Sequence, residues 1–360
     1  MRPVYYLSLF IPIAIGLKLA EASAPLVFFT SAIGVIPTAA LMSDATEQLA
    51  DRAGPGIGGL LNVTFGNAPE LIIAFFALEK GLQEVVKATL VGSVIGNSLL
   101  VLGASMLVGG IGRERQTFNR TAAHTQAGML LLAAAALVLP AVFQLIHGGG
   151  LPRVSEERHD FGNDLEMLSL GVAIILILSY VAGLWFSLRT HRDLFNVTHD
   201  GGEIEKGTWS IRKSVILLAI AGVFVGIMSE ILVGSIEEAS KDVGLSQFFV
   251  GVFVVAIVGN AAEHYVAVVV AHKNKMDLAV NIAIGSSAQI ALFVAPVLVL
   301  LSFAVGPYPM SLVFNGYELA GLIAAVLIAN FLASEGESTW FEGIQLLALY
   351  LVLGLVFILA

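Results

Sequence analysis

The chain contains 360 residues, of which 57% are apolar and 12% are charged, whereas soluble domains average about 45–50% apolar and about 25% charged residues. So few charges cannot cover the surface of a soluble protein of this length, which indicates an integral membrane protein. The net charge of −9 argues against a nucleic-acid partner. The absence of cysteine excludes disulfides, thiol catalysis and cysteine-ligated metal sites.

A helix that crosses a bilayer needs about 20 mostly apolar residues. In chain order, the apolar runs predict eleven such helices, which lie near residues 4–20, 25–43, 56–78, 87–110, 125–147, 167–188, 213–235, 246–271, 278–305, 313–333 and 341–359. The runs are long and continuous rather than alternating, which disfavours a membrane β-barrel. We therefore expect an all-α polytopic membrane protein.

The positions of Lys and Arg indicate how these helices are oriented, because basic residues concentrate in cytoplasmic loops. With a cytoplasmic N-terminus, twelve of the 18 basic residues fall on the cytoplasmic side and six fall outside. The sequence therefore predicts a cytoplasmic N-terminus and an external C-terminus. The longest connection, near 189–212, mixes acidic and basic residues. We interpret it as a solvated linker, with a cation-sensing regulatory segment as the alternative.

An internal repeat relates the two parts of the chain, at an offset of about 190 residues. The matching pairs are GNAPE (66–70) with GNAAE (259–263), VGSVIGNSLL (91–100) with IGSSAQIALF (284–293), and ATEQLADRAG (45–54) with SIEEASKDVG (235–244). The first motif falls in the third predicted helix and the second motif in the eighth. Because five helices separate them, the two motifs are expected to run through the membrane in opposite directions.

The parity of the helices thus predicts an inverted repeat of five plus five helices, preceded by one extra helix. We divide the chain into the extra N-terminal helix (1–22), the first repeat (23–188), a cytoplasmic linker (189–212) and the second repeat (213–360). Inverted repeats are typical of secondary transporters, in which the binding site lies near the bilayer midplane at the repeat interface.

Two glutamates, Glu70 and Glu263, lie inside these apolar helices. A charged side chain at the bilayer centre costs at least about 2.5–3.5 kcal/mol, and such residues usually face a cavity or a partner. The repeat places both at equivalent positions, so we expect them to converge near a pseudo-two-fold axis. Two adjacent carboxylates cannot both stay ionised without a cation, so the site is expected to hold a metal ion, protons, or one of each.

Neutral oxygen donors surround both glutamates in the sequence. Asn67 and Asn260 each precede a motif glutamate by three residues and share its helix face. Glycine and proline in the motifs favour bent helices whose free carbonyls face the cavity. The expected metal ligands are Glu70, Glu263, Asn67, Asn260, Gln289 and the carbonyls of Gly66 and Gly259, and the expected supporting residues are Ser93, Asn97, Ser286 and Ser287. Such an all-oxygen set suits Ca²⁺.

Five further titratable residues each have two possible interpretations. His264 follows the second motif glutamate, and its titration range suits proton coupling, although a helix-packing role explains it equally well. Four other glutamates lie near the predicted helix ends, where a solvated mouth is the simplest interpretation and a cation-concentrating funnel is the alternative. These are Glu47, Glu230, Glu237 and Glu238.

The combination of motifs resembles the Ca²⁺/H⁺ exchanger (CAX) family of the calcium/cation antiporter superfamily. The resemblance rests on GNAPE, GNAAEH, VGSVIGNSLLVLG (91–103), IGSSAQIALF, QTFNRTAA (116–123) and EGESTWFEGIQLLALY (335–350). It implies eleven helices, a Ca²⁺ site built from Glu70 and Glu263, and exchange for protons. No cofactor is implied beyond the transported ions. Eukaryotic members carry long N-terminal extensions, which this sequence does not show, so we expect a protein of a prokaryotic plasma membrane.

The expected function is secondary active transport of Ca²⁺ in exchange for H⁺ by alternating access, with the two glutamates binding Ca²⁺ or protons in competition. The first alternative is a Na⁺/Ca²⁺ exchanger, or an exchanger of another divalent cation such as Mn²⁺. A cation channel is a more distant alternative. An intramembrane enzyme is not expected, because the sequence has no HExxH or GxGD motif and no convincing Ser/His pair. Whether the chain forms a homo-oligomer is left open.

Overall fold

The computed structural model describes residues 3–154, 161–190 and 209–360, with the backbone alone described at 54–57, 59–60 and 63. The helices are α1 (Pro3–Leu19), α2 (Ala24–Gly66), α3 (Ala68–Glu79), α4 (Gln83–Gly110), α5 (Arg120–Ile146), α6 (Asn163–Thr190), α7 (Ile211–Val243), α8 (Gln247–His272), α9 (Met276–Ser302), α10 (Gly316–Glu335) and α11 (Trp340–Ile358). The strands are β1 (Gln116–Thr117) and β2 (Glu337–Ser338). Most of the predicted linker falls outside the described residues.

Within the described ranges, nine helices are long and apolar enough to cross a membrane by length and composition. This confirms the prediction of an all-α polytopic membrane protein. The first predicted helix corresponds to α1, which is apolar but shorter than the nine. The division of the chain into a first and a second repeat stays a prediction.

The segment predicted as a single helix over 56–78 differs from the expectation. Its first part continues α2, which runs without interruption from Ala24 to Gly66, and its second part is α3. The two helices are separated at Asn67, where the backbone leaves helical geometry. Pro69 explains the interruption, because proline has no N–H to donate to the preceding turn. The predicted loop between 43 and 56 is therefore helical.

The chain divides into two compact units. Unit 1 comprises Met1–Phe76, Ala182–Leu245 and Val258–Ala262. Its long helices α2 and α7 pack along each other, and α1 packs against both. Met42, Ala68, Ala221 and Val225 form a buried apolar cluster between α2, α3 and α7. Unit 1 therefore holds the first motif and the first part of the second motif on one packed framework.

Unit 2 comprises Ala77–Val181, Ser246–Ile257 and Glu263–Ala360. Its most buried helix is α4, which packs against α8, α9, α10 and α11. The antiparallel pair of β1 and β2 joins the connection after α4 to the connection after α10. Because α4 is buried among these apolar helices, its polar residues are largely shielded from water.

The outer face of α6 shows how unit 2 meets its surroundings. Large apolar side chains at Ile174, Ile175 and Leu178 are exposed, whereas Ala173 and Leu176 are buried. An exposed apolar face of this kind is unfavourable in water and favourable against lipid. The face therefore agrees with α6 as a membrane-crossing helix.

Candidate functional site

The first motif lies at the interruption between α2 and α3. Gly66 ends α2, Asn67 occupies the break, and Glu70 lies in the first turn of α3. A carboxylate in the first turn of a helix is stabilised by the unpaired N–H groups and the positive end of the helix dipole. The local sequence thus builds a helix start inside the apolar segment and positions Glu70 on it.

Glu70 packs against the second motif within unit 1. A Cβ atom at Gly259 would lie 3.4 Å from Cγ of Glu70 and 3.8 Å from its Oε1. These are ordinary van der Waals distances, and they place the side chain of Glu70 beside the backbone of α8. Asn260 follows directly and is fully buried, as are Asn67 and Glu70 to within a few per cent. Unit 1 thus brings Glu70 together with the beginning of the second motif.

Several of these buried oxygens are not used in hydrogen bonds with the described residues. They are Oε2 of Glu70 and the Oδ1 atoms of Asn67 and Asn260, although other interactions engage each of the three residues. Buried polar oxygens are normally satisfied by hydrogen bonds, water or an ion. The chemistry of these donors, carboxylate and amide oxygens, fits a hard divalent cation.

Glu263 belongs to unit 2 and lies one helical turn beyond Gly259 on α8. Its Oε2 accepts a hydrogen bond from Oγ of Ser286 on α9, at 2.5 Å. A hydrogen bond to an ionised carboxylate favours the charged form. The structure therefore brings together two residues that the sequence analysis placed in the site, one as a ligand and the other as a supporting residue.

Two further hydrogen bonds join the motif helices of unit 2. Nε2 of His264 lies 3.1 Å from Oδ1 of Asn97 on α4, and the hydroxyls of Ser98 and Ser287 lie 3.3 Å apart. The His264 bond favours the packing role for this residue, while its part in proton coupling stays a prediction. Ser98 was missed by sequence reasoning, although its place directly after Asn97 in the repeated segment was a usable signal.

Departures from regular α-helical geometry occur at these same positions. In α4, residues Gly96–Val101 form a π-helical segment that includes Asn97. In α9, the π-helical segment Ile290–Val294 begins directly after Gln289. Such segments inside α-helices are frequent at functional sites, because they change the direction of side chains and free backbone groups. Ser93 is buried one turn before the first of them.

The four glutamates of the predicted funnel are all exposed, on α2 and α7 of unit 1. Glu237 forms an exposed ion pair with Lys241, at 2.9 Å. They do not lie at helix ends as expected, because α2 and α7 extend beyond the apolar runs on which the prediction relied. Their exposure agrees with the solvated interpretation, and the funnel stays a prediction.

Known proteins match both parts of the chain. The sodium/calcium exchanger protein family matches residues 23–189 and 213–359. A Ca²⁺/H⁺ antiporter of Aphanothece halophytica is 44% identical, over 98% of this chain and 95% of that protein. The Ca²⁺/H⁺ antiporter ChaA of Bacillus subtilis is also 44% identical, over 97% and 96% respectively. A vacuolar calcium ion transporter of Schizosaccharomyces pombe is 42% identical, over 97% and 82%.

Solved structures share the fold. Native YfkE matches with a TM-score of 0.83 and 40% identity, over 99% of this chain and all of that one. The H⁺/Ca²⁺ exchanger CAX matches with a TM-score of 0.73 at 15% identity, over 99% and 91%, which supports the fold alone. These matches confirm the resemblance to Ca²⁺/H⁺ exchangers noted in the sequence. The chain belongs to the sodium/calcium exchanger protein family.

Proposed function

We propose that this protein is a secondary active transporter that exchanges Ca²⁺ for H⁺ across a membrane by alternating access. The observation that carries the proposal is the placement of Glu70, a buried carboxylate at a helix start, against Gly259 of the second motif. The names of the bacterial relatives support the pair of exchanged ions. Neither the relatives nor the fold imply an enzymatic reaction.

In the Ca²⁺-loaded state, the ionised carboxylates of Glu70 and Glu263 bind one Ca²⁺ ion. Neutral oxygens complete the coordination, as hard divalent cations require. These donors are the side chains of Asn67, Asn260 and Gln289 and the backbone carbonyls of Gly66 and Gly259. Ser286 holds Glu263 through its hydrogen bond, and Ser93, Asn97 and Ser287 supply polar surroundings.

In the proton-loaded state, protons neutralise the same carboxylates and lower their affinity for Ca²⁺. Both loaded states have their charge compensated, so the protein can rearrange from either. The empty dianion cannot, because two uncompensated charges would have to pass through an apolar region at a large desolvation cost. This difference couples the Ca²⁺ flux to the proton flux.

Replacing either motif glutamate tests the proposal. We expect Glu70→Gln and Glu263→Gln each to abolish Ca²⁺ uptake driven by a pH gradient in proteoliposomes, because a single carboxylate compensates only half the charge of Ca²⁺ and carries only one proton in return. Glu79→Gln is the matched control, since Glu79 is exposed at the far end of α3. Uptake at the control rate in both motif variants would show that these residues are not the transport site.

A further inference from the structure

A second group of buried charges lies in unit 2, away from the two motifs. Glu84 and Lys87 lie in the first turns of α4, and Glu318 lies in the first turn of α10. Lys87 is 1% exposed, Glu84 is 8% exposed and Glu318 is fully buried. Charged side chains are rarely buried to this extent unless they are paired or functional.

The contacts of this cluster, which comprises Glu84, Lys87 and Glu318, are specific. Nζ of Lys87 forms an ion pair with Oε1 of Glu84 and donates a hydrogen bond to the carbonyl of Val313, at 2.9 Å. Glu318 caps α10, with its Oε2 accepting from the backbone N–H of Asn315 at 2.8 Å. The carbonyl that Lys87 contacts lies five residues before Glu318, and α4 packs against α10.

The charges of the cluster do not balance when all three groups are ionised. Two carboxylates and one ammonium leave a net charge of −1 in a setting from which water is excluded. Oε1 of Glu318 is buried and finds no hydrogen-bond partner among the described residues. A buried uncompensated charge costs several kcal/mol, whereas one proton on either carboxylate removes that charge.

Two of the neighbouring segments supply no further cation. The connection 303–315 contains no charged residue, and neither does the segment 246–257 that packs against α4. Phe161 covers Lys87, with the ring centre 5.6 Å from Nζ. The same ring lines an open cavity together with His147, Asn163 and Asp164. The cavity therefore lies beside the ring that covers Lys87.

We propose that Glu84, Lys87 and Glu318 form a second proton-binding site, which holds one exchangeable proton on one of its two carboxylates. The proton comes from water and returns to water, so no other reactant is needed. Its release leaves a buried negative charge at the junction of α4 and α10 and loosens their packing. Asn97 lies on α4 ten residues beyond Lys87, about 15 Å along the axis, so the site makes α4 sensitive to pH.

Infrared titration of the purified full-length protein tests the site, because a protonated buried carboxyl group has its own C=O band. We expect this band to persist at neutral pH in the wild type. It should disappear in Glu318→Gln and in Glu84→Gln, since either change leaves one carboxylate to balance Lys87. Lys87→Met should strengthen it, because two carboxylates would then need protons. Glu342→Gln is the matched control, as Glu342 occupies the same capping-box position on α11.

Recording the spectra with and without Ca²⁺ separates this inference from the proposed function. Ca²⁺ should displace protons from the motif glutamates and leave the cluster's band unchanged. Loss of the Ca²⁺-insensitive band in Glu318→Gln or Glu84→Gln, with retention in the control, supports the second proton site. Retention of that band in both variants overturns it, whatever the transport assays show. A missing Ca²⁺-sensitive band would count against the proposed function alone.

Discussion

Ser286 donates a hydrogen bond to Glu263 at 2.5 Å, and this contact carries a prediction about ion affinity. Because hydrogen bonds to charged groups contribute about 1.5–3 kcal/mol, removing the donor makes the ionised carboxylate less favourable. We expect Ser286→Ala to raise the Ca²⁺ concentration for half-maximal uptake by roughly tenfold at fixed pH. The measurement is the Ca²⁺ dependence of uptake in proteoliposomes.

Ser334→Ala provides the control for this substitution. The hydroxyl of Ser334 donates its hydrogen bond to the carbonyl of Phe331, one turn earlier in the same helix. An unchanged half-saturating concentration in Ser286→Ala would mean that the hydrogen bond has no influence on the ionised form of Glu263.

Sequence reasoning finds residues such as Glu70 and Ser286 because each is a polar group inside an apolar run. It does not find partners across helices: the bond between His264 and Asn97 joins residues that are 167 positions apart. Lys87 shows a second limit. Hydropathy places it at the start of an apolar run and counts it as a loop charge, whereas the structure buries it beside Glu84.

Close packing of α4 against α8 depends on glycines, among them Gly92. A Cβ atom at Gly92 would collide with the backbone of Val252, and overpacking of this kind costs about 1–3 kcal/mol. We therefore expect Gly92→Ala to lower the thermal unfolding temperature in detergent. Gly96→Ala, one turn along the same helix, has open space for its Cβ atom and should be neutral or slightly stabilising.

An equal unfolding temperature for Gly92→Ala and Gly96→Ala would contradict the close backbone contact between α4 and α8 at Val252. The comparison is sharp because both substitutions add the same methyl group to the same helix.

Prediction of elements from the sequence succeeds where apolar runs coincide with helices and fails where they do not. The charges at Asp44, Asp51 and Arg52 end the second apolar run, yet α2 continues through them. Asp51 and Arg52 are exposed, and Asp44 accepts a hydrogen bond from Tyr5 at 2.6 Å. Hydropathy predicts which residues face lipid. A helix, in contrast, ends where its backbone hydrogen bonds are interrupted, which here is beside Pro69.

Orientation in the membrane is a property of the whole molecule, and it stays a prediction from the basic residues. Because the chain contains no cysteine, single-cysteine variants carry no background. Lys80 and Lys273 are both exposed, in the connections after α3 and α8. We expect an impermeant maleimide to label Lys80→Cys in intact cells and Lys273→Cys only after permeabilisation. The opposite pattern would invert the predicted topology.

Exchange of Ca²⁺ for H⁺ is tested most directly by varying the counter-ion in proteoliposomes of the purified protein. Ca²⁺ uptake is measured once with an imposed pH gradient in the absence of Na⁺, and once with an imposed Na⁺ gradient at clamped pH. We predict uptake with the pH gradient alone, accompanied by proton movement in the opposite direction, and none with the Na⁺ gradient alone. Uptake that requires Na⁺ and ignores the pH gradient would contradict the account.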